Sequence, residues 1–261
     1  MNEVNKTLYI PLYGKAQVSR KNIILNDKKA EEIWEKEQFP LKGKSKSKWL
    51  CYYMAMRARV FDDWTKRKMS ECPDAVILHI GCGMDSRYLR VGRNAAQWYD
   101  IDFPSVIEER GKYYGETENY HMLCCDVSDS AQPDRLPESE NAVIILEGIS
   151  MYLKNEQIAA LFDAFAAKYK KAGILMDVYT TFAAKASKYK NPVNDVGVTT
   201  LYGIDEPDSI LNNSIRFVRE HTMTPDELIS QLPKADKGFF GLMFAGKATR
   251  KIYRLYEYEK R

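Results

Sequence analysis

The sequence lacks the features that mark several specialised classes of protein. No apolar run reaches the roughly 18 residues of a membrane-spanning helix, so we expect no membrane partner. The first residues lack the basic start and apolar core of a signal peptide, which predicts a cytoplasmic protein. Neither sign of charge is in large excess, since 39 basic residues are dispersed among 36 acidic ones. We therefore expect no nucleic-acid partner.

Cysteine and histidine are too few and too irregularly spaced to indicate a metal site. The five cysteines are an odd number and include no Cys-x-x-Cys pair, so we expect reduced thiols and no bound metal. Of the three histidines, His79 lies inside a predicted strand and is assigned a structural role. General acid–base chemistry therefore has few candidates in this sequence.

What the chain does contain is a glycine turn placed directly after a buried strand. Residues 76–80 are apolar and rich in β-branched side chains, and Gly81 and Gly83 follow with one residue between them. Such a pair allows a tight turn and a close approach of the backbone to a ligand. About 20 residues later a second strand ends in an acid, Asp102 or Asp100, which is typical of a nucleoside site in a doubly wound sheet.

Strands and helices alternate along the chain, which predicts an α/β fold with a doubly wound, mostly parallel sheet. Helical patterns at 86–91, 104–114 and 155–170 separate the first strands, and Gly173 is expected to end the last of these helices. The seven predicted strands are residues 76–80, 97–101, 120–124, 142–146, 174–179, 215–221 and 252–258.

We expect one domain over residues 1–261, in which 45% of the residues are apolar and 29% are charged. A helical part at 1–74 precedes a cofactor-binding core at 75–179. Residues 180–213 mix aromatic and polar side chains and interrupt the alternation, which predicts a cap over the site. Residues 214–261 add the C-terminal strands and a helix. The basic run at 42–48 is assigned to a solvated loop.

The residues around the glycine turn distinguish between nucleoside cofactors. A dinucleotide fingerprint has a third glycine where this chain has Ser86, which disfavours NAD. S-adenosylmethionine needs a carboxylate for its ribose, a polar group for its adenine and a cation for its own carboxylate. The chain offers acids after three successive strands and two cations upstream of the sheet: Asp102, Asp126, Glu147, Arg57 and Lys15.

Five short stretches follow the motif order of a known family. They are L-Y-I-P-L-Y-G-K-A at 8–16, N-D-K-K-A at 26–30, R-A-R-V-F-D-D at 57–63, H-I-G-C-G-M-D-S-R at 79–87 and E-G-I-S-M-Y-L at 147–153. In these the chain resembles the leucine carboxyl methyltransferase family, and within it the bacterial branch related to polyketide carboxyl O-methyltransferases. The resemblance implies a Rossmann-like, S-adenosylmethionine-dependent O-methyltransferase.

The resemblance also implies roles for individual residues. The cofactor-binding set that it implies is Lys15, Arg57, Gly81, Gly83, Asp102, Asp126, Val127 and Glu147. In this set Arg57, assisted by Lys15, holds the methionine carboxylate. Asp102 binds the ribose, and Asp126 with Val127 contacts the adenine. Tyr152 lies where cofactor and acceptor meet, and is the candidate catalytic residue. Cys82 stands where the family usually has alanine, and it is small enough to fit.

The implied reaction is methyl transfer to a carboxylate of a small-molecule, polyketide-like acceptor, with S-adenosylhomocysteine as the second product. A carboxylate is ionised at neutral pH and needs no general base, so the enzyme has only to align it and exclude water. Four alternatives remain: a phenol or amine acceptor, a protein C-terminal carboxylate, a non-catalytic cofactor-binding protein, and a dinucleotide dehydrogenase. A cation facing an aromatic-lined cavity would favour an aromatic acid. We expect a monomer or a homodimer.

Overall fold

The computed structural model of the chain describes residues 8–37, 39–41, 43–129, 133–190, 200–211 and 214–260. Its strands are β1 Val76–Ile80, β2 Gln97–Asp102, β3 Tyr120–Cys124, β4 Asn141–Leu146, β5 Lys171–Tyr179, β6 Arg216–His221 and β7 Tyr253–Lys260. They form a single seven-stranded sheet in the order β3-β2-β1-β4-β5-β7-β6. Strands β1 to β5 are parallel, and β7 runs antiparallel between β5 and β6. The predicted mostly parallel sheet is confirmed.

Helices cover both faces of this sheet. They are α1 Tyr9–Ser19, α2 Lys28–Glu37, α3 Lys48–Glu71, α4 Pro104–Arg110, α5 Asn155–Lys168, α6 Thr181–Lys190, α7 Asp226–Ile229, α8 Lys234–Phe244 and α9 Gly246–Arg250. Shorter helical turns span Gly43–Lys46, Tyr88–Gly92, Pro133–Arg135, Ser150–Tyr152 and Pro207–Ile210. Every helix in the described ranges is too short or too polar to traverse a lipid bilayer.

The central strands are buried because apolar layers lie against both faces. All five residues of β1 are buried. One apolar layer includes Phe61 and Trp64 of α3. The layer on the other face includes Phe162 and Phe165 of α5. This arrangement explains why β1 and β4 are continuously apolar instead of alternating.

The N-terminal helices are joined to the sheet and to the C-terminal helices. Helix α2 begins after Asp27, whose Oδ1 accepts the Ala30 N–H at 2.9 Å and so caps the helix. Near the start of α3, Lys48 and Tyr52 both donate to the carboxylate of Asp236 on α8, each at 2.8 Å. Helix α3 therefore links the N-terminal part of the chain to the C-terminal helix α8.

Two local predictions differ from the structure. Gly173 does not end a helix, because α5 ends at Lys168 and Gly173 lies within β5. The helical pattern at 86–91 produces only one wide turn, Tyr88–Gly92. A Cβ atom on Gly92 would lie 2.5 Å from Cε3 of Trp98, so the chain passes too close to β2 for a larger residue.

Candidate active site

A cavity of about 660 Å³ opens at the carboxyl ends of the central strands, a volume suited to a small-molecule site. In doubly wound sheets this edge is where ligands bind. All nine residues predicted for the site lie on its wall: Lys15, Arg57, Gly81, Gly83, Asp102, Asp126, Val127, Glu147 and Tyr152. The roles assigned to them remain predictions, but the fold brings every one of them to a single cavity.

The glycine turn at the centre of the wall has a backbone that other residues rarely adopt. The φ angles of Gly81 and Gly83 are +69° and +50°. The Gly81 N–H donates to the carbonyl oxygen of Ile101 at 2.8 Å, which holds the turn against β2. A Cβ atom on Gly81 would lie 2.0 Å from Cγ2 of Ile149, far inside contact distance. Position 81 therefore admits only glycine without rearrangement.

The structure separates the two acids at the end of β2. Asp102 faces the cavity, and its two carboxylate oxygens accept the backbone N–H groups of Gly83 and Phe103, each at 2.8 Å. Burial raises the pKa of Asp102 despite these bonds. Asp100 is fully buried and accepts hydrogen bonds from Arg110 and, at 2.8 Å, from Tyr120. Asp102 is thus the acid available to a ligand.

The next part of the wall follows β3. Asp126 accepts hydrogen bonds at its Oδ1 atom from the N–H and hydroxyl of Ser128, at 2.9 and 2.6 Å. Val127 lies beside it, and the side chains of Phe103 and Val106 belong to the same cavity wall. An acid beside apolar side chains is an environment that suits a flat heterocyclic base.

Arg57 joins the two strands on the other side of the turn. Its Nε donates to Glu147 after β4 at 2.9 Å, and its Nη1 donates to Asp177 of β5 at 3.0 Å and to the hydroxyl of Tyr253 at 2.8 Å. Glu147 also accepts from Arg87. Burial opposes ionisation of Glu147, but Arg87 and Arg57 outweigh it and lower its pKa to about 2. Glu147 is therefore an anion at neutral pH.

A second ionic group fixes helix α1 to the same turn. Lys15 lies 3.0 Å from Oδ2 of Asp85, and Arg90 lies 2.8 Å from Oδ1. Burial opposes ionisation of Asp85, but Arg90 and Lys15 hold its pKa well below the usual range. Nε of Arg90 also lies 2.7 Å from Oδ2 of Asp62 on α3. The N-terminal helices and the glycine turn thus share one network of buried charges.

This network predicts a loss of stability in acid. The folded-state pKa of Glu147 lies below its ordinary value of 4.5, so its contribution is present above that pH and is lost as the pH falls toward 2. We expect the free energy of unfolding, measured with urea, to fall by about 2 kcal/mol through this group between pH 6 and 3. Glu147→Gln is expected to have a shallower pH dependence, and an equal slope in both proteins would contradict this origin.

The cavity histidine is not free to act as a base. His79 is buried, with its Nδ1 2.9 Å from Oδ1 of Asp100 and its Nε2 3.2 Å from Nη1 of Arg87. Since a guanidinium can only donate, Nε2 accepts and Nδ1 carries the hydrogen, which leaves a neutral imidazole with both nitrogens engaged. The other two histidines contact Gln97 and Glu257, away from the cavity wall.

The wall away from the glycine turn is mostly apolar and aromatic. It draws on α3, the turn after β4, α8 and the chain leading into β7: Trp49, Met54, Met151, Met243, Phe244 and Ile252. Lys44 of the predicted solvated loop is exposed and lies on the same wall. None of the described residues of the predicted cap, 180–213, lies on the wall, and residues 191–199 and 212–213 are outside the described ranges.

Several residues of this site were not identified from the sequence. Asp85 and Arg87 lie within the quoted motif at 79–87, so their place next to the glycine turn was a usable signal. Asp177 and Tyr253 gave no such signal. Tyr253 reaches the cavity only because β7 returns antiparallel and pairs it with Tyr179 at the carboxyl end of β5.

Comparison with known proteins identifies the family. The model of the family described as leucine carboxyl methyltransferase matches residues 11–166, more than half of the chain. The chain belongs to this family. It is accordingly an S-adenosylmethionine-dependent methyltransferase, and the resemblance inferred from the sequence is confirmed.

Relatives in sequence and structure agree with this family. The methyltransferase is 26% identical over 259 residues to the tetracenomycin polyketide synthesis O-methyltransferase TcmP of Streptomyces glaucescens, covering 98% of this chain and 96% of that protein. It is 23% identical over 225 residues to the S-adenosyl-L-methionine-dependent methyltransferase dpfgK of Gibberella zeae, covering 77% and 76%.

Solved structures share the fold at lower sequence identity. A protein of Thermobifida fusca assigned as a methyltransferase has a TM-score of 0.56 at 13% identity, covering 89% of this chain and 87% of that one. Magnesium protoporphyrin IX methyltransferase of Synechocystis, with bound SAH, has a TM-score of 0.52 at 11% identity, covering 88% and 94%. These likenesses concern the fold alone.

The residues present fit the cofactor of this family. The turn of Gly81 and Gly83 has the positive φ angles that bring backbone close to a ligand, and the acid Asp102 stands next to it. The cations Lys15 and Arg57 lie on the same wall and have the charge that suits the carboxylate of S-adenosylmethionine. In the described part of the chain, no group of three or more His, Cys, Asp or Glu side chains is arranged to hold a metal.

Proposed function

We propose that this methyltransferase transfers a methyl group from S-adenosylmethionine to the carboxylate of a small, flat, apolar molecule, forming a methyl ester and S-adenosylhomocysteine. The observation that carries the proposal is the combination of three features. The cavity has an aromatic wall, the cation Lys44 lies on that wall, and no histidine is free to act as a base. The name of TcmP, an O-methyltransferase of polyketide synthesis, supports a polyketide-like acceptor that is methylated on oxygen.

The nucleoside end of the cofactor is proposed to lie across β1 to β3. Each oxygen of Asp102 accepts one backbone N–H, and a carboxylate has about four acceptor positions, so lone pairs remain for the two ribose hydroxyls. Asp126 accepts the adenine amino group, and Val127 packs against the ring. The backbone at Gly81 and Gly83 allows the ligand to approach the turn closely.

The methionine end is proposed to lie beside Arg57. The hydrogen bonds described for this guanidinium use Nε and Nη1, whereas Nη2 lies 3.2 Å from the position that a Cβ on Gly148 would take. Gly148, with φ +74°, therefore has no side chain that would press against this edge of the guanidinium. The methionine carboxylate accepts from this edge, and Lys15 adds a second positive charge.

The reaction that follows needs alignment more than proton transfer. Bound S-adenosylmethionine supplies a methyl group on a sulfonium, and the C–S bond breaks as a C–O bond forms, with the electron pair remaining on sulfur. An acceptor carboxylate is already ionised. The apolar walls exclude water and hold the acceptor against the methyl group, and Tyr152 is proposed to contribute to this placement. A phenol acceptor would instead need a base, and His79 has both nitrogens engaged.

Replacing Asp102 with alanine tests the cofactor site. The change removes a charge-assisted acceptor for the ribose, so we expect the Kd for S-adenosylmethionine, measured by isothermal titration, to rise about 10- to 100-fold. Asp63→Ala is the control, because Asp63 is exposed and pairs with Arg59 on the outer side of α3. Equal affinities in the two variants would place the ribose elsewhere.

The acceptor class is tested with a matched pair of probes, 2-naphthoate and 2-naphthol. With 2-naphthoate we expect release of S-adenosylhomocysteine, a product that base hydrolyses, and a kcat that is flat from about pH 6 to 8, since the carboxylate is ionised throughout. Turnover of 2-naphthol alone, with a rate that rises toward the phenol pKa near 10, would overturn the carboxylate assignment.

A further inference from the structure

The wall of the cavity contains a buried hydroxyl group without a hydrogen-bond partner. Tyr53 lies on α3 one turn before Arg57, and its Oη atom is buried with no partner among the residues that the structure describes. Leaving such a group unpaired is costly, and buried polar groups in native proteins are rarely left in that state. Tyr53 is also one of the residues that line the cavity, so a ligand bound there is the candidate partner for its hydroxyl.

The polar groups near this hydroxyl already form hydrogen bonds with each other. The Tyr253 hydroxyl accepts from Arg57 at 2.8 Å and donates to Asp177 at 2.5 Å, and its ring centroid lies 6.1 Å from that of Tyr53. Burial raises the pKa of Tyr53 well above 10, although Arg57 counteracts the shift, so the group keeps its proton at any physiological pH. Tyr53 is therefore a donor that needs an acceptor oxygen.

The order of the sheet places this donor away from the nucleoside part of the cavity. The residues proposed for ribose and adenine follow β2 and β3, on one side of β1. Tyr253 begins β7, which lies beyond β4 and β5 on the other side. Tyr53 packs against Tyr253 and shares the wall with Phe244 of α8, so it lies away from the nucleoside.

We propose that Tyr53 is an acceptor-binding residue, whose hydroxyl donates a hydrogen bond to one oxygen of an aromatic carboxylate while the other oxygen attacks the methyl group. This inference rests on the proposed function and adds a determinant of specificity to it. A hydroxyl that is short of an acceptor recognises a carboxylate oxygen, whereas the N–H groups of an amine would leave it unpaired. The aromatic rings of the acceptor then lie on the apolar wall that includes Trp49 and Phe244.

The neighbouring residue provides a matched control. Tyr52 also lies on α3, but its hydroxyl is satisfied, donating to Oδ2 of Asp236 at 2.8 Å, and it is not part of the cavity wall. Tyr52→Phe breaks this bond and should lower the free energy of unfolding. Tyr53→Phe removes an unpaired hydroxyl, so the ligand-free variant should unfold at the same denaturant concentration as the wild type or a higher one. A destabilised Tyr53→Phe would show that the hydroxyl has a structural partner, and would overturn the proposal.

The decisive experiment measures binding and turnover of 2-naphthoate. In protein saturated with S-adenosylhomocysteine, we expect Tyr53→Phe to raise the Kd for 2-naphthoate about 10- to 100-fold, and in turnover to raise KM more than it lowers kcat. Tyr52→Phe should bind the acid as the wild type does, and both variants should bind S-adenosylhomocysteine normally.

The two proposals fail in different ways. A wild-type protein that binds S-adenosylhomocysteine but forms no ester with 2-naphthoate overturns the proposed function. Ester formation with the same KM in wild type and Tyr53→Phe overturns the role of Tyr53 alone. The same conclusion follows if Tyr53→Phe weakens the binding of S-adenosylhomocysteine as strongly as that of the acid, because the hydroxyl would then serve the cofactor.

Discussion

Replacing Arg57 with alanine is expected to raise the Kd for S-adenosylmethionine at least 100-fold and to destabilise the protein by about 3–5 kcal/mol. The first effect follows from the proposed contact with the methionine carboxylate. The second follows because Glu147 and Asp177 are buried and each loses a charged partner, at 2.9 and 3.0 Å. Isothermal titration and urea unfolding measure the two effects separately.

Two further variants keep the Arg57 experiment interpretable. Arg59→Ala, on the same helix, removes an exposed pair with Asp63 and a hydrogen bond to the carbonyl oxygen of Ile24, so it should leave the cofactor Kd unchanged and lower the unfolding free energy by only about 1 kcal/mol. Arg57→Lys keeps the charge but loses the planar fork, so it should fold and still bind the cofactor more weakly than the wild type. If both Arg57→Lys and Arg57→Ala bound S-adenosylmethionine with the wild-type affinity, another group would hold the methionine carboxylate.

Gly81→Ala is the second large effect that we expect. The added Cβ would lie 2.0 Å from Cγ2 of Ile149, and alanine would have to adopt a φ of +69°. Overpacking and positive φ each cost about 1–3 kcal/mol, so urea unfolding should show a loss of about 2–5 kcal/mol, with weaker cofactor binding because the turn moves.

The double variant Gly81→Ala/Ile149→Ala separates the two causes. Truncating Ile149 removes the atom in the way but not the backbone strain, so we expect it to restore part of the stability that Gly81→Ala loses. Gly83→Ala is a useful comparison, since among the described residues a Cβ there would meet only Cβ of Leu8, at 3.4 Å, and would introduce φ strain with little steric conflict. A Gly81→Ala protein as stable as the wild type would contradict the close packing of the turn against Ile149.

Much of the fold follows from patterns that are local in sequence. The strands β1, β3 and β4 were predicted to within one residue, because short apolar runs bounded by turn residues are a strong local signal. Helix α5 was predicted, at 155–170, for a similar reason, since its apolar residues recur at helical spacing. Gly173 was misassigned because glycine is compatible with both a helix end and a strand, and only the pairing of β5 with β4 decides between them.

The candidate site was predictable where its residues follow strands directly. Gly81, Asp126 and Glu147 each come next after, or close to, the end of a parallel strand, so the fold class alone brings them to one edge. The segment 180–213 was less informative. Aromatic and polar composition predicts a surface segment but not which surface it covers, and the wall that is described comes instead from α8 and the chain before β7.

By itself, then, the sequence determined the sheet, the glycine turn, the family and the class of cofactor, because each depends on residues close together in the chain. The tertiary structure decided between Asp100 and Asp102, which lie on the same face of β2, since only depth along the strand separates a buried acid from one on the cavity wall. It also brought Tyr53 and Tyr253 together from opposite ends of the chain. Contacts of that kind depend on helix packing and on the antiparallel return of β7, which no local pattern specifies.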